Sequence, residues 1–151
     1  MENMLCVRPA KKEEMDWINK CYDDVDFVHS DFDNEIIAVS ELNGQRAGLG
    51  RLVTIDSKHL ELGGIYVFDS YRNQGVASAI VNFLLKEHAS ERTIYCIPFE
   101  QLVPFYKNFG FTSCENLKIV PIKILDKFNW CKEKYPQPTS LLVLQLERGN
   151  S

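Results

Sequence analysis

The sequence predicts an α/β (α+β) protein built on a mixed, mostly antiparallel central sheet flanked by helices. Three observations carry that expectation. Asn43-Gly44, a strong two-residue turn, stands between the apolar runs 35–39 and 48–53, the pattern of an antiparallel hairpin. The apolar run Ile65-Tyr66-Val67-Phe68 passes through a Gly-containing turn into a stretch with helical apolar spacing, from Val76 to about His88. Strands and helical stretches then alternate toward the end of the chain, as βαβ-like units do.

Each element has a local reason. Cys6-Val7-Arg8-Pro9 suits a short first strand, with Pro9 stopping it. Residues 11–22 read as a helix, because Met15, Ile18 and Tyr22 fall on one stripe with Trp17 and Cys21 alongside. An acidic loop spans 23–35, and the hairpin follows. Residues 59–68 form the next strand, broken by Gly63-Gly64, a pair that marks a bulge or a close approach to the backbone. In the helix from Val76, residues Val76, Ile80, Phe83 and Leu84 share a stripe. Residues 93–97 form a strand. Residues 100–109 are helical up to Gly110, with Pro104 in the first regular turn. A strand starts over 111–114, a helix entered through Pro121 spans 119–135, and 141–146 is the last strand.

Composition excludes several classes. At 151 residues, 45% apolar and 25% charged, the chain reads as a single domain over 1–151. No uncharged apolar stretch reaches the about 18 residues of a membrane span, and the N-terminus lacks signal-peptide character, so cytoplasmic is the expected location. The net charge of −4 argues against nucleic acid as a partner. Cys6, Cys21, Cys96, Cys114 and Cys131 are scattered singly, as free and mostly buried thiols are. His29, His59 and His88 show no metal-ligand spacing, so no metal is expected.

The segment richest in chemistry is Tyr71-Arg72-Asn73-Gln74-Gly75-Val76-Ala77. The first N–H groups of a helix have no intrahelical partner and carry partial positive charge, which suits phosphate. Gly75 keeps space for it and Arg72 adds a cation. Alone, the spacing also fits an ordinary helix that begins near a glycine.

A second block, Phe105-Tyr106-Lys107-Asn108-Phe109-Gly110-Phe111, lies some thirty residues downstream. With Val7-Arg8-Pro9-Ala10 and the Asn43-Gly44 hairpin, the two blocks resemble the GNAT superfamily of acyl-CoA-dependent N-acetyltransferases, over about residues 7–114. The resemblance implies acetyl-CoA (coenzyme A) as cofactor, with its pantetheine arm between two splayed strands, 61–68 and 93–97. Ile65, Tyr66 and Val67 would line that arm, with the backbones of Ile65 and Val67 pairing to its amides. Arg72, Asn73, Gln74, Gly75, Val76, Ala77 and Ser78 would hold the pyrophosphate. Gly63-Gly64 would let the thioester approach, with Gly63 beside the acceptor. Two positions depart from the family pattern. Gly63 stands where a catalytic Glu is common, which leaves the general base open. Phe99 stands where an Asn often contacts the cofactor.

The activity so implied moves an acetyl group from acetyl-CoA to a primary amine of a small molecule or peptide, by direct attack through a tetrahedral intermediate. The amine, with a pKa of about 10.4, must lose a proton, the oxyanion needs a donor, and the leaving thiolate needs an acid. In the family segment the Tyr commonly serves as that acid, so Tyr106 is the candidate; it also reads as a core aromatic among Phe105, Phe109 and Phe111. Glu61, two residues before Gly63, is the base candidate, against a reading as a solvent-facing strand residue. Asp23, Asp24, Asp26, Asp31, Asp33 and Glu35 form a solvated loop or a wall that attracts a cationic acceptor, with Asp31 its representative. Trp130 and the apolar set Ile119, Ile122 and Leu125 read as packing. A non-catalytic acyl-CoA-binding module is the alternative function, and the oligomeric state stays open, a homodimer included. Neither Gly-x-x-x-x-Gly-Lys-Ser/Thr nor Gly-x-Gly-x-x-Gly is present, which disfavours other nucleotide-binding folds.

Overall fold

The computed structural model describes residues 4–88 and 92–145. Along the chain run β1 (Leu5–Pro9), α1 (Met15–Asp24), β2 (Glu35–Leu42), β3 (Gln45–Thr54), β4 (His59–Val67) and α2 (Val76–His88). They are followed by β5 (Thr93–Cys96), α3 (Val103–Lys107), β6 (Thr112–Ser113), α4 (Ile122–Lys134) and β7 (Leu142–Leu144). The strand order is β1-β2-β3-β4-β5-β7-β6. β1–β2, β2–β3, β5–β7 and β6–β7 pair antiparallel and β4–β5 parallel, the mostly antiparallel sheet expected. None of the described helices is long and apolar enough to cross a membrane. Contacts divide the chain into two compact units, Met1–Val53 with Gly64–Glu87 and Thr54–Gly63 with His88–Ser151.

In the first unit the Asn43-Gly44 turn behaves as its residues dictate. Both central residues take positive φ, +54° and +82°, the primed turn whose twist matches the flanking strands. One sheet face buries Ile37, Val39 and Leu49 against Ile18, Cys21 and Tyr22 of α1. The opposite face is kept flat for α2, since a Cβ on Gly50 would collide with Ile80. Helix α2 buries Val76, Ile80, Val81 and Leu84, while Phe83 of the expected stripe is half-buried. Helix α1 is entered through a 3-10 turn, Lys12–Glu14, in which the buried Glu14 carboxylate gathers Arg8 at 2.8 Å, Arg46 at 3.2 Å and the Lys11 N–H at 2.9 Å.

In the second unit β5 runs parallel to the first part of β4, from His59↔Thr93 to Leu62↔Cys96. Residues Tyr95, Val120, Ile124 and Leu141 form the core, with Phe128 and Leu125 packed on it. Over 100–109 the chain forms a 3-10 turn, Glu100–Leu102, and then α3, with Pro104 in the first regular turn as expected. The expected apolar face of α4 needs correction. Ile119 and Ile122 are 60% and 68% exposed, because Ile119 belongs to a preceding 3-10 turn and the helix starts only at Ile122. The stripe facing the core is Ile124, Phe128 and Cys131, spaced i, i+4, i+7. The last strand ends at Leu144, and Leu146 lies outside the described residues. All five cysteines are free; Cys21, Cys96 and Cys131 are buried.

Candidate active site

The turn after β4 is shaped by its backbone. A 3-10 turn, Asp69–Tyr71, turns the chain, and Asn73 and Gly75 then take φ +63° and +81° before α2 begins. Asn tolerates the left-handed region better than other side chains and Gly enters it freely. The first bond of the helix joins the Ala79 N–H to the Gly75 carbonyl at 3.0 Å. The N–H groups of Val76, Ala77 and Ser78 stand ahead of it, where a helix has no acceptor of its own. Among the described residues, nothing other than Gly75's two chain neighbours lies within 4 Å of the space a Cβ on Gly75 would fill. These residues fit a pyrophosphate. The exposed Arg72 guanidinium is tethered to Asp69 at 3.1 Å. Ile65, Tyr66 and Val67, all half-buried, form the last part of β4 leading into the turn, and the Tyr66 ring meets Phe68 edge-on at 5.2 Å.

The expected break in β4 takes the form of one residue. Gly64 has φ +61° inside a strand that otherwise runs without interruption. Its carbonyl accepts a 2.8 Å hydrogen bond from the hydroxyl of the fully buried Tyr22. A Cβ at this position would sit 2.7 Å from the Tyr22 hydroxyl and 2.8 Å from Arg51 Nε, so only glycine fits by both conformation and space. The Arg51 guanidinium lies over the Tyr22 ring, 4.4 Å from its centroid, and donates to the Ser30 hydroxyl.

Within the second unit, Glu61 and Tyr106 each interact electrostatically with Cys96. Glu61 is not the solvent-facing strand residue that one reading allowed: it is 4% exposed and receives Lys127 Nζ of α4 at 3.0 Å and 2.8 Å on its two oxygens. A strand interior does not shed a lysine-paired carboxylate to water, and α4 covers this one. A Cβ on Gly63 would lie 3.7 Å from Glu61 Oε2, so the two positions share a strand face as their i, i+2 spacing implies. Burial pushes the Cys96 thiol well up, and the Glu61 charge adds to it. Tyr106 is 5% exposed and surrounded edge-on by Phe105 and Phe111. Burial, with the neighbouring Cys96 adding to it, raises its pKa well above the usual tyrosine range. Its phenol therefore keeps its proton at neutral pH, the state a proton donor requires.

The acidic loop is in part structural. Asp31 is exposed, and its carboxylate accepts the Asp33 N–H at 3.2 Å while its own N–H donates to Glu35 Oε2 at 2.9 Å. Asp23 meets His29 at 2.6 Å. Glu35, the last of the acidic set, has its side chain only 7% exposed. Tyr22, Ser30, Arg51 and Lys127 had no site role in the sequence reading. Arg51 carried a signal there, as the lone charge inside the apolar run 48–53.

The profile of the Acetyltransferase (GNAT) family matches residues 6–111. No curated protein matches the chain by sequence. Solved structures share the fold at low identity. Rv2747 from Mycobacterium tuberculosis, in complex with CoA, superposes with a TM-score of 0.74 at 20% identity, over 93% of this chain and 99% of that one. N-acetylglutamate synthase from Neisseria gonorrhoeae, complexed with coenzyme A and L-arginine, gives 0.73 at 12% identity, over 97% of this chain but only 34% of its own. An N-acetyltransferase from Staphylococcus aureus Mu50 gives 0.67 at 21% identity, over 95% and 99%.

Proposed function

This chain belongs to the acetyltransferase (GNAT) family, and from that premise we propose that it transfers an acetyl group from acetyl-CoA to a primary amine of a small molecule or peptide. The observation that carries the reading is the turn into α2, where Val76, Ala77 and Ser78 present N–H groups behind an open Gly75 at φ +81°. The structural relatives solved with coenzyme A support the same cofactor.

When bound, acetyl-CoA supplies a thioester whose acetyl carbon is taken by the amine nitrogen as the C–S bond breaks and the thiolate leaves. The chain's residues then have separable tasks. The α2 turn, with Arg72, holds the pyrophosphate, and the Ile65–Val67 backbone orients the pantetheine as an added strand would. The left-handed Gly64 turns the β4 backbone so that an N–H of the Gly63-Gly64 pair can face charge developing on the carbonyl oxygen. Tyr106, kept protonated by burial, gives its proton to the departing sulfur. Glu61 accepts the amine proton, directly or through water, and Lys127 holds its carboxylate in place.

The ion pair on Glu61 also favours a second reading, a module that binds acyl-CoA without turnover, because Lys127 engages both carboxylate oxygens that would have to take the amine proton. Two measurements separate the readings. Thermal stabilisation by CoA but not by ATP or NAD supports both, and its absence overturns both. Acetylated product followed by mass across an amine panel then supports the enzyme; CoA binding with no product from any amine supports the module.

A further inference from the structure

We propose that Arg51 and Glu35 form the acceptor subsite and read the zwitterion of an α-amino acid, with its carboxylate on Arg51 and its ammonium on Glu35. The proposal rests on the acetyl-transfer reading and names its substrate class.

Arg51 is 4% exposed and the Glu35 side chain 7%, so both charges are held away from water. They share a sheet face, since Arg51 lies opposite Ile37 and Glu35 is two residues from Ile37 along β2. A closed ion pair would be expected there. Instead the nearest approach, Arg51 Nη1 to Glu35 Oε1, is 4.0 Å. Among the described residues neither Arg51 Nε nor Glu35 Oε1 has a hydrogen-bond partner. Buried charged atoms without partners are rare and call for an occupant.

Other contacts hold part of each side chain in place. Ser30 accepts from Arg51 Nη1, the Tyr22 ring lies under the guanidinium, and the Asp31 N–H donates to Glu35 Oε2. Among the described residues the cluster thus presents an unpartnered cationic donor, Arg51 Nε, and an unpartnered anionic acceptor, Glu35 Oε1. The donor faces the left-handed Gly64, whose missing Cβ would be 2.8 Å from Nε, and Gly64 is where the acetyl group is proposed to approach.

The ligand chemistry follows by elimination of charge. A simple amine would satisfy Glu35 and leave Arg51 Nε unpaired. A simple carboxylate would satisfy Arg51 and add uncompensated negative charge beside Glu35. A zwitterion satisfies both and keeps the cluster neutral. Residues 25–34, which carry neither helix nor strand, place Ser30 on Arg51 and the Asp31 N–H on Glu35. Ser30 is tied to Asn19 through bonds of 2.7 Å and 3.3 Å, so a ligand reaching Arg51 would have to displace Ser30.

The test compares matched acceptors on the full wild-type chain with acetyl-CoA: L-methionine, L-glutamine and L-phenylalanine, their C-terminal amides, and the corresponding decarboxylated amines. Product is followed by mass. A site built to hydrogen-bond a charged group rejects analogues lacking it strongly, so kcat/KM for the acids should exceed that for the amides and amines by at least about 100-fold. Equal or faster acetylation of the amides or amines overturns the subsite and leaves acetyl transfer standing. Should nothing be acetylated, calorimetry of the same amino acids with the CoA-loaded chain decides. Binding of the acids with none of the amides supports the subsite, and no preference overturns it. Arg51→Lys should reduce the acid-over-amide preference at least tenfold, and a preserved preference overturns the assignment to Arg51.

Discussion

The hydroxyl of Tyr22 donates a 2.8 Å hydrogen bond to the carbonyl of Gly64, tying α1 to the one left-handed residue of β4. Tyr22→Phe leaves that carbonyl without its donor, at a cost of about 1–2 kcal/mol. Gly64→Ala costs more, because the added Cβ meets both Tyr22 and Arg51 in a conformation that L side chains rarely adopt. Denaturant melts should rank wild type above Tyr22→Phe and Tyr22→Phe above Gly64→Ala. An alanine variant as stable as wild type would show that Gly64 is not constrained as described.

Gly75 separates binding from folding. Among the described residues its Cβ would meet nothing beyond its own chain neighbours, so the Gly75→Ala penalty on stability comes mainly from the left-handed φ, about 1–2 kcal/mol. The same methyl occupies the space proposed for pyrophosphate. CoA affinity, measured by calorimetry, should fall by at least tenfold. Unchanged affinity would remove the α2 turn from the cofactor site.

Tyr106→Phe tests the proton donor. The ring packing against Phe105 and Phe111 survives the change, so CoA binding should hold while kcat drops about 10²–10⁴-fold. Because burial raises the Tyr106 pKa, its phenol stays protonated in the folded chain as pH rises past the ordinary tyrosine value of about 10, and from that pH upward stability falls because the unfolded chain ionises first. A wild-type kcat in the variant rules the role out.

Lys127→Met strands the Glu61 carboxylate in the interior. Breaking a buried ion pair from one side costs about 3 kcal/mol, taken at the low end because the Lys127 side chain is 31% exposed. Adding Glu61→Gln should recover most of the loss in a double-mutant cycle. Equal, additive losses would mean that the two side chains do not depend on each other.

Glu14 gives the fold an acid limit. Hydrogen bonding from Arg8, opposed by burial, lowers its carboxyl pKa to about 2. Since the unfolded value is near 4.3, its contribution is complete above about pH 5 and disappears as pH falls through 2. Glu14→Gln should therefore be less stable by about 2 kcal/mol at pH 7, with the difference closing toward pH 2. A gap independent of pH would assign the effect to packing.

Elements set by local rules were legible before any coordinates. Pro9, Asn43-Gly44, Gly75 and Pro104 each impose a backbone geometry on their own neighbours, and the chain turns or stops where they stand. The face of α4 was read wrongly because a short apolar list fits two helical phases; only the docking of Ile124 and Cys131 selects one. The sequence left two readings of Glu61 open for a related reason, since its environment is supplied by Lys127, 66 residues away in the chain.

The sequence by itself determined the order of elements, the turn into α2 and the residue types of the two family blocks, all consequences of short-range backbone preference and spacing. Tertiary structure alone decided which charges are buried and what they meet. Glu61 against Lys127, Tyr22 on Gly64, and Arg51 near Glu35 without closing on it are relationships across distant segments. Their energetics depend on water being excluded from both partners, and no local pattern in the chain records that exclusion.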